Sequence, residues 1–180
     1  IEGCQMDLSQ TRYLDYAGLQ RYCHLVAGVV GEVAAQIFGQ TDPATTQYAH
    51  TLGLAFQLTN ILRDSAEDYR RDGRVYFPLD ELNEFGVEEG AWASGCPSGW
   101  DALMAQQVAR ARGYYSSAVE KLPKTQSQKM VAAEIMREVY SELLDAMVSD
   151  GLKVWERRYR LTRRRKLWLA GSVFVRNFLK

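Results

Sequence analysis

The stretch Asn60-Ile61-Leu62-Arg63-Asp64-Ser65-Ala66-Glu67-Asp68 decides how this 180-residue chain reads. In a helix, residues four apart lie above one another, so Asn60, Asp64 and Asp68 make a row of oxygen donors along one face. Gln57, one turn earlier, joins the row. The row begins inside an apolar run, Leu52 to Leu62, where a core helix would carry leucine. Oxygen atoms placed there cost free energy unless a metal, a substrate or an ordered partner satisfies them. A rigid row of hard oxygen ligands is what Mg²⁺ bound to a diphosphate requires. The competing reading is a solvated face on which Arg63 pairs with Glu67 at i,i+4 while the aspartates face water. Arg63 and Glu67 lie about 100° to one side of the row, and two polar faces on one apolar helix ask for more than solubility. Spacing alone leaves both readings open. A calcium-binding loop is excluded, because Asp64 to Gly73 lacks alternating ligands and follows a helical pattern.

Outward from the row, Arg70, Arg71, Arg74 and Tyr76 follow within a few residues, so a basic, aromatic-tipped flap is expected beside the same oxygens. Cations next to carboxylates suit an anionic diphosphate held through Mg²⁺; the alternative is an ordinary charged loop. Upstream, Tyr22, Val26, Ala27, Gly28 and Gly31 form a strip of small and apolar residues. Such a strip serves close helix packing or, alternatively, a groove for an isoprenoid chain.

Four long segments and a terminal one carry helical periodicity and little alternates at period two, so the fold class is all-α. The first helix is expected from about Asp15 to Phe38, with Leu19, Tyr22, Cys23, Val26, Val30, Val33 and Ile37 on its buried face and Gly39 as its stop. The second starts at Asp42-Pro43, carries the acidic row and fades near Gly73. Arg74 to Pro78 reads as an extended crossing piece, followed by a short helix near Leu79 to Phe85 and a Gly/Ser/Pro-rich link from Gly90 to Gly99. Ser98 is expected to cap a third helix that runs to Leu122. The fourth is expected from Ser127 to Asp150, with Met130, Ile135, Val139, Leu143, Leu144 and Met147 inward. The terminal segment, Thr162 to Leu179, joins Arg163-Arg164-Arg165-Lys166 to Leu167, Trp168, Leu169, Val173, Phe174 and Phe178. It is expected to pack on its own domain, with peripheral contact to an anionic membrane surface as the alternative. Long helices joined by short links suggest antiparallel neighbours around a central cavity, within a single domain spanning residues 1–180.

Composition narrows the class. The chain is 47% apolar with 22 basic and 22 acidic side chains, so it is neither disordered nor a general nucleic-acid binder. Cys4, Cys23 and Cys96 lack metal-binding spacing and leave an odd one over, which argues against a disulfide framework or zinc site and for a reducing cytosol. His24 and His50 sit far apart in sequence without a ligand pattern. No run approaches the ~18 apolar residues of a membrane span, and the start lacks the features of a signal peptide.

With these residues assembled, the chain resembles the squalene/phytoene synthase family, whose members join two prenyl diphosphates head to head. The resemblance rests on blocks in order: Gly3 to Leu8; Tyr22 to Gly31; Gly53 to Asp64 continuing through Glu67-Asp68; Gly73 to Pro78; Tyr114-Tyr115 with Leu122-Pro123; and Arg157-Arg158 through Leu167. It implies an isoprenoid synthase-type helical bundle with a central cavity, here without its N-terminal helices, and Mg²⁺ held by two aspartate-rich motifs. Asn60, Asp64 and Asp68 resemble the second motif and would hold the metal, with Arg63 and Tyr76 in the catalytic set. Gln57, Tyr22, Val26, Ala27 and Arg74 would bind substrate.

The implied reaction loses diphosphate from one substrate and closes a cyclopropylcarbinyl diphosphate, which some members rearrange to squalene, dehydrosqualene or phytoene. The expectation is a bacterial-type enzyme, cytoplasmic or peripheral at the inner membrane face. Farnesyl diphosphate is favoured over geranylgeranyl diphosphate, NADPH use and oligomeric state are left open, and no nucleic acid is involved. The family's first aspartate-rich motif is missing, so the 180 residues are expected to be the C-terminal portion of a longer enzyme and inactive alone. His24, where an aromatic is common, and an extra Asp72 before the flap also depart from the family. Rival readings are a non-catalytic relative acting as scaffold or assembly factor and a cyclising terpene synthase.

Overall fold

The computed structural model describes residues 1–40 and 42–178, with residue 124 described by its backbone alone. It is helical, with no strand among the described residues. The helices are α1 (Glu2–Ser9), α2 (Tyr16–Cys23), α3 (Val29–Ile37), α4 (Pro43–Asp72), α5 (Leu79–Glu84), α6 (Trp100–Lys121), α7 (Val131–Ser149) and α8 (Arg163–Phe178). A π-helical turn, His24–Gly28, joins α2 to α3, and short 3₁₀ turns occupy Ala91–Ala93 and Lys124–Gln126.

Helix α4 is the axis of the bundle and touches α2, the π-helical turn, α3, α6 and α7. Its start is written in the sequence: the Asp42 side chain accepts from the Ala44 N–H at 2.9 Å, and Pro43 opens the first turn. Arg70 and Arg71 sit in the last turn, where cations complement the helix dipole. Gly73, at φ 67°, ends the helix and turns the chain into the crossing piece. That piece runs beside residues 11–14, with the Val75 N–H bonded to the Thr11 carbonyl at 3.0 Å and the Leu79 N–H to that of Tyr13 at 2.9 Å.

Three expectations need correction. The first helix is interrupted: the π-helical turn inserts one residue into the helical count, so a 3.6-residue stripe rotates by about 100° across it. Leu19, Tyr22 and Cys23 before the turn are buried, but Val30, Val33 and Ile37 after it are exposed by 60, 49 and 76%, and Ala35 takes the inward position. Ser98 does not cap the third helix; Gly99, at φ 76°, precedes Trp100 without a side-chain cap. A Cβ at Gly99 would lie against the Phe85 carbonyl, so the close approach selects glycine there. The fourth helix begins at Val131, and residues 127–130 form turns instead. Met130, Leu143, Leu144 and Met147 are buried, whereas Ile135 and Val139 are only partly so. The terminal helix agrees with its expected span up to Phe178; Leu179 lies outside the described residues.

The Gly90–Gly99 link is less free than its composition suggests. Trp92 is fully buried, edge-on to Phe77 at 5.3 Å and stacked on Trp100 at 6.0 Å, and these three rings pin the link to the core.

Candidate active-site groove

Two glycine-mediated crossings set the groove. Gly53 on α4 faces the Ala27 carbonyl so closely that a Cβ there would lie 2.4 Å from the oxygen, and a Cβ at Gly31 would lie 2.3 Å from the Ala49 oxygen. The π-helical turn and α3 therefore meet α4 backbone to backbone, and α7 stands off on the far side. The space left is a groove of ≈290 Å³, at the small end for small-molecule sites, lined by Val26, Ala27, Phe56, Met136 and Tyr140 with Gln57 and Asn60. Val30, Phe38 and Met136 at its rim are exposed by 60, 44 and 47%. The small-residue strip thus divides: Gly28 and Gly31 permit the close packing, while Val26 and Ala27 face the groove.

The α4 row runs out of this groove. The Asn60 Oδ1 atom is buried and has no hydrogen-bond partner, although an amide oxygen in an apolar wall normally finds one. One turn on, Asp64 is gripped by two guanidinium groups. Arg63 donates from Nε at 2.9 Å and from Nη2 at 2.5 Å, and Arg158 from Nε at 2.8 Å and Nη2 at 3.1 Å. Burial alone would raise the Asp64 pKa, but the two arginines outweigh it and hold the carboxyl below its ordinary value. Arg63 therefore turns to Asp64 rather than pairing with Glu67, which is reached by Arg158 at 3.3 Å. Asp68 is in the opposite condition. Burial pushes its pKa up, Asp64, Asp72 and Glu67 add to that, and Arg71 at 2.9 Å offsets it only in part. It is a carboxylate short of positive charge.

The flap residues separate into two groups. Arg70 turns away from the row, donating to the main-chain carbonyls of Ala93 and Trp155, and so serves the fold. Arg74 and Tyr76 turn inward. Arg74 binds Asp7 through Oδ1 at 3.0 Å and the main-chain oxygen at 2.7 Å, the Tyr22 hydroxyl donates to Asp7 Oδ1 at 2.8 Å, and the Tyr22 and Tyr76 hydroxyls are 3.4 Å apart. Tyr13 stacks on Tyr76. Burial raises the pKa of Tyr13, Tyr22 and Tyr76, so all three stay neutral hydroxyl donors. Tyr76 also feels the Asp68 charge, which places the cluster beside the end of the row.

Of the ten residues singled out from sequence, Val26, Ala27, Gln57 and Asn60 line the groove. Arg63, Asp64 and Asp68 continue along α4, and Tyr22, Arg74 and Tyr76 form the flanking cluster. Sequence reasoning gave no role to Arg158, Asp7 or Tyr140, which come from remote segments. Asp7 and Arg158 fall within the sequence blocks quoted above, whereas Tyr140 belongs to neither a block nor the inward stripe read for its helix. His24 and His50 also meet, with ring centroids 5.0 Å apart and His50 Nδ1 at 2.6 Å from Glu32. Cys4, Cys23 and Cys96 are free thiols.

Among the described residues no three His, Cys, Asp or Glu side chains converge to cage a metal ion alone. The α4 row nevertheless fits a Mg²⁺ ion shared with a bound anion: its donors are all oxygen, the Asn60 oxygen lacks a partner, and Arg71 compensates the Asp68 charge only in part.

Residues 1–165 match the profile of the family described as Squalene/phytoene synthase. The 15-cis-phytoene synthase of Synechococcus elongatus is 37% identical over 182 residues, covering 93% of this chain and 58% of that protein. Phytoene synthase 1, chloroplastic, of Solanum lycopersicum is 35% identical, covering 99% of this chain and 45% of that protein. Among solved structures, a dehydrosqualene synthase in complex with ligand superposes with a TM-score of 0.77 at 26% identity, covering 97% of this chain and 62% of that one. The chain spans about half the length of the curated relatives it matches. The groove, the oxygen row running out of it and the extent of the match agree, and this chain belongs to the squalene/phytoene synthase family.

Proposed function

We propose that residues 1–180 are the C-terminal portion of a Mg²⁺-dependent prenyltransferase that condenses two prenyl diphosphates head to head. The observation that carries this reading is the partnerless Asn60 oxygen at the polar end of an apolar groove, in line with Asp64 and Asp68. Asn60, Asp64 and Asp68 would hold the metal. Bound there, Mg²⁺ would neutralise the substrate diphosphate and make it a better leaving group.

The chain's own side chains do the rest. Arg63, Arg158, Arg71 and Arg74 supply positive charge around a departing diphosphate. Tyr22, oriented by Asp7, and Tyr76, whose hydroxyl faces that of Tyr22, are neutral and offer hydroxyl dipoles beside it. Val26, Ala27, Phe56 and Met136 give the prenyl chain an apolar wall that keeps water from an allylic cation. The open rim at Val30, Phe38 and Met136 supports a second wall, with the family's first aspartate-rich motif, contributed by chain outside these 180 residues.

The relatives' names favour phytoene as the product, hence geranylgeranyl diphosphate as substrate; the dehydrosqualene synthase neighbour keeps farnesyl diphosphate in the test. The test is calorimetric binding of a non-reactive prenyl thiodiphosphate to the full-length protein, with and without Mg²⁺ and in both chain lengths. Mg²⁺-dependent binding that favours one length supports the reading. Absence of any Mg²⁺-dependent binding would favour the scaffold alternative.

A further inference from the structure

Where the π-helical turn crosses α4, a second cluster of side chains lies outside the groove, and the proposed function makes no use of it. Gly28 of the turn sits under the His50 ring of α4: a Cβ built on Gly28 would fall 2.7 Å from Cε1 and 3.0 and 3.1 Å from Nδ1 and Nε2. The two nitrogens therefore straddle the glycine. Nδ1 lies 2.6 Å from the carboxylate of Glu32, four residues after Gly28. Nε2 is left on the side of His24, four residues before Gly28, whose ring centroid stands 5.0 Å from that of His50. Glu32 and His50 are both partly open to solvent.

The chemistry of the three groups is that of a metal site. A carboxylate can only accept, so Glu32 holds the proton on His50 Nδ1 and leaves Nε2 of the neutral ring with its lone pair. A carboxylate placed in this way orients a metal-bound imidazole. Two imidazoles on one tetrahedral ion, with metal–nitrogen bonds of about 2.0–2.1 Å, stand about 5 Å apart centre to centre. His24 and His50 have that separation. The competing reading, an ion pair of protonated His50 with Glu32, accounts for Nδ1 and leaves His24 without a role. Both rings line an open hollow with Gln20, Arg21 and Leu54, so an ion can enter from solvent, and the Arg21 charge is balanced by Glu2. The hollow shares no lining residue with the groove.

We propose that His24 and His50 bind a transition-metal ion of the Zn²⁺ class, with Glu32 as the carboxylate that positions His50. No third His, Cys, Asp or Glu completes a cage among the described residues, so the remaining positions fall to water. Nitrogen ligands select Zn²⁺, Ni²⁺ or Cu²⁺ over Mg²⁺, which prefers the oxygen row of α4. His50 precedes Asn60 by ten residues, ~15 Å along the helix axis, so the two ions are separate. One ligand comes from the π-helical turn and the other from α4, and the metal therefore ties together the two backbones that meet at Gly53. The site rests on its own three residues. Its consequence, a stiffer wall for the groove, rests on the proposed function.

The test is calorimetric titration of chelator-treated full-length protein with Zn²⁺, in excess Mg²⁺ so that the oxygen row is occupied, followed by thermal denaturation with and without Zn²⁺. Expected are one equivalent of Zn²⁺ per chain and a melting temperature that rises when it binds. His24→Phe and His50→Gln are each expected to abolish both effects. Glu32→Gln, which keeps the shape of the side chain, is expected to weaken Zn²⁺ binding about 10–100-fold. Mg²⁺-dependent binding of the prenyl thiodiphosphate by zinc-free His24→Phe protein is expected to match the parent, which separates this proposal from the function. A parent that binds no Zn²⁺ would overturn the site. So would Zn²⁺ binding that survives either histidine substitution, which would assign the ion to the exposed Cys4 and Cys96 thiols or to the aspartates of α4. Unchanged affinity in Glu32→Gln would overturn the positioning role of the carboxylate.

Discussion

Replacing Gly53 by alanine is expected to destabilise the protein although alanine is the better helix former. At the centre of α4 the substitution gains about 1 kcal/mol of intrinsic helix propensity. The new Cβ, however, would lie 2.4 Å from the Ala27 oxygen and 2.9 Å from its carbonyl carbon. An ordinary carbon–oxygen contact is ~3.3 Å, so α4 and the π-helical turn must separate by about 0.9 Å. The obstacle is backbone, which cannot swing aside, so the overpacking cost belongs at the upper end of its usual range, about 3 kcal/mol. The net is a loss of about 2 kcal/mol, or roughly 4–8 °C in melting temperature for a chain of this size. Gly113 is the internal control: it is exposed, lies within α6, and has nothing within 4 Å of a built Cβ. Gly113→Ala is expected to raise the melting temperature by about 2–4 °C through propensity alone. Thermal denaturation of both variants decides the matter. A Gly53→Ala protein as stable as the parent would refute the backbone crossing and with it the wall of the groove.

Glu81 is buried between Arg110 and Gln107. Burial raises its pKa, but the Arg110 and Gln107 hydrogen bonds outweigh it and leave the folded value below 4.5. Its contribution is therefore complete above the unfolded pKa and lost as pH falls through the lower folded one. Urea denaturation of Glu81→Gln is expected to show a loss of about 3 kcal/mol at pH 7 that shrinks toward zero in acid; a pH-independent loss would contradict the ion pair. Trp100→Ala, which removes a ring packed on Phe77, Trp92 and Trp155, is expected to cost about 3–5 kcal/mol in the same assay. Arg158→Gln is expected to leave the melting temperature nearly unchanged and to weaken prenyl thiodiphosphate binding about tenfold, the loss of one charge-assisted partner. Calorimetry would read it, and unchanged affinity would remove Arg158 from the site.

Much of this was legible because helical periodicity and capping are local. Asp42-Pro43 and Gly73 bracket α4 in the sequence as they do in space, and the four-residue spacing of Asn60, Asp64 and Asp68 needs only a helix to align it. The π-helical turn at His24–Gly28 was not legible, because its cause is tertiary: Gly28, Gly31 and Gly53 let two backbones cross, and the inserted residue then rotates Val30, Val33 and Ile37 outward. Arg70 and Arg71, adjacent in the chain, diverge because a helix sends neighbouring side chains about 100° apart. One reaches the Trp92 loop and the other reaches Asp68. The site partners Asp7 and Arg158 belong to other segments, and no spacing within α4 could announce them.

The most direct measurement of the central claim is a product assay on the full-length protein with Mg²⁺, offered farnesyl and geranylgeranyl diphosphate separately, with and without NADPH, beside Asp64→Ala and Asp68→Ala. A thirty- or forty-carbon product, or its cyclopropyl diphosphate precursor, that disappears in both variants while each stays folded is the expected result. No condensation from either substrate, or condensation that survives either substitution, would contradict the assignment of the α4 row.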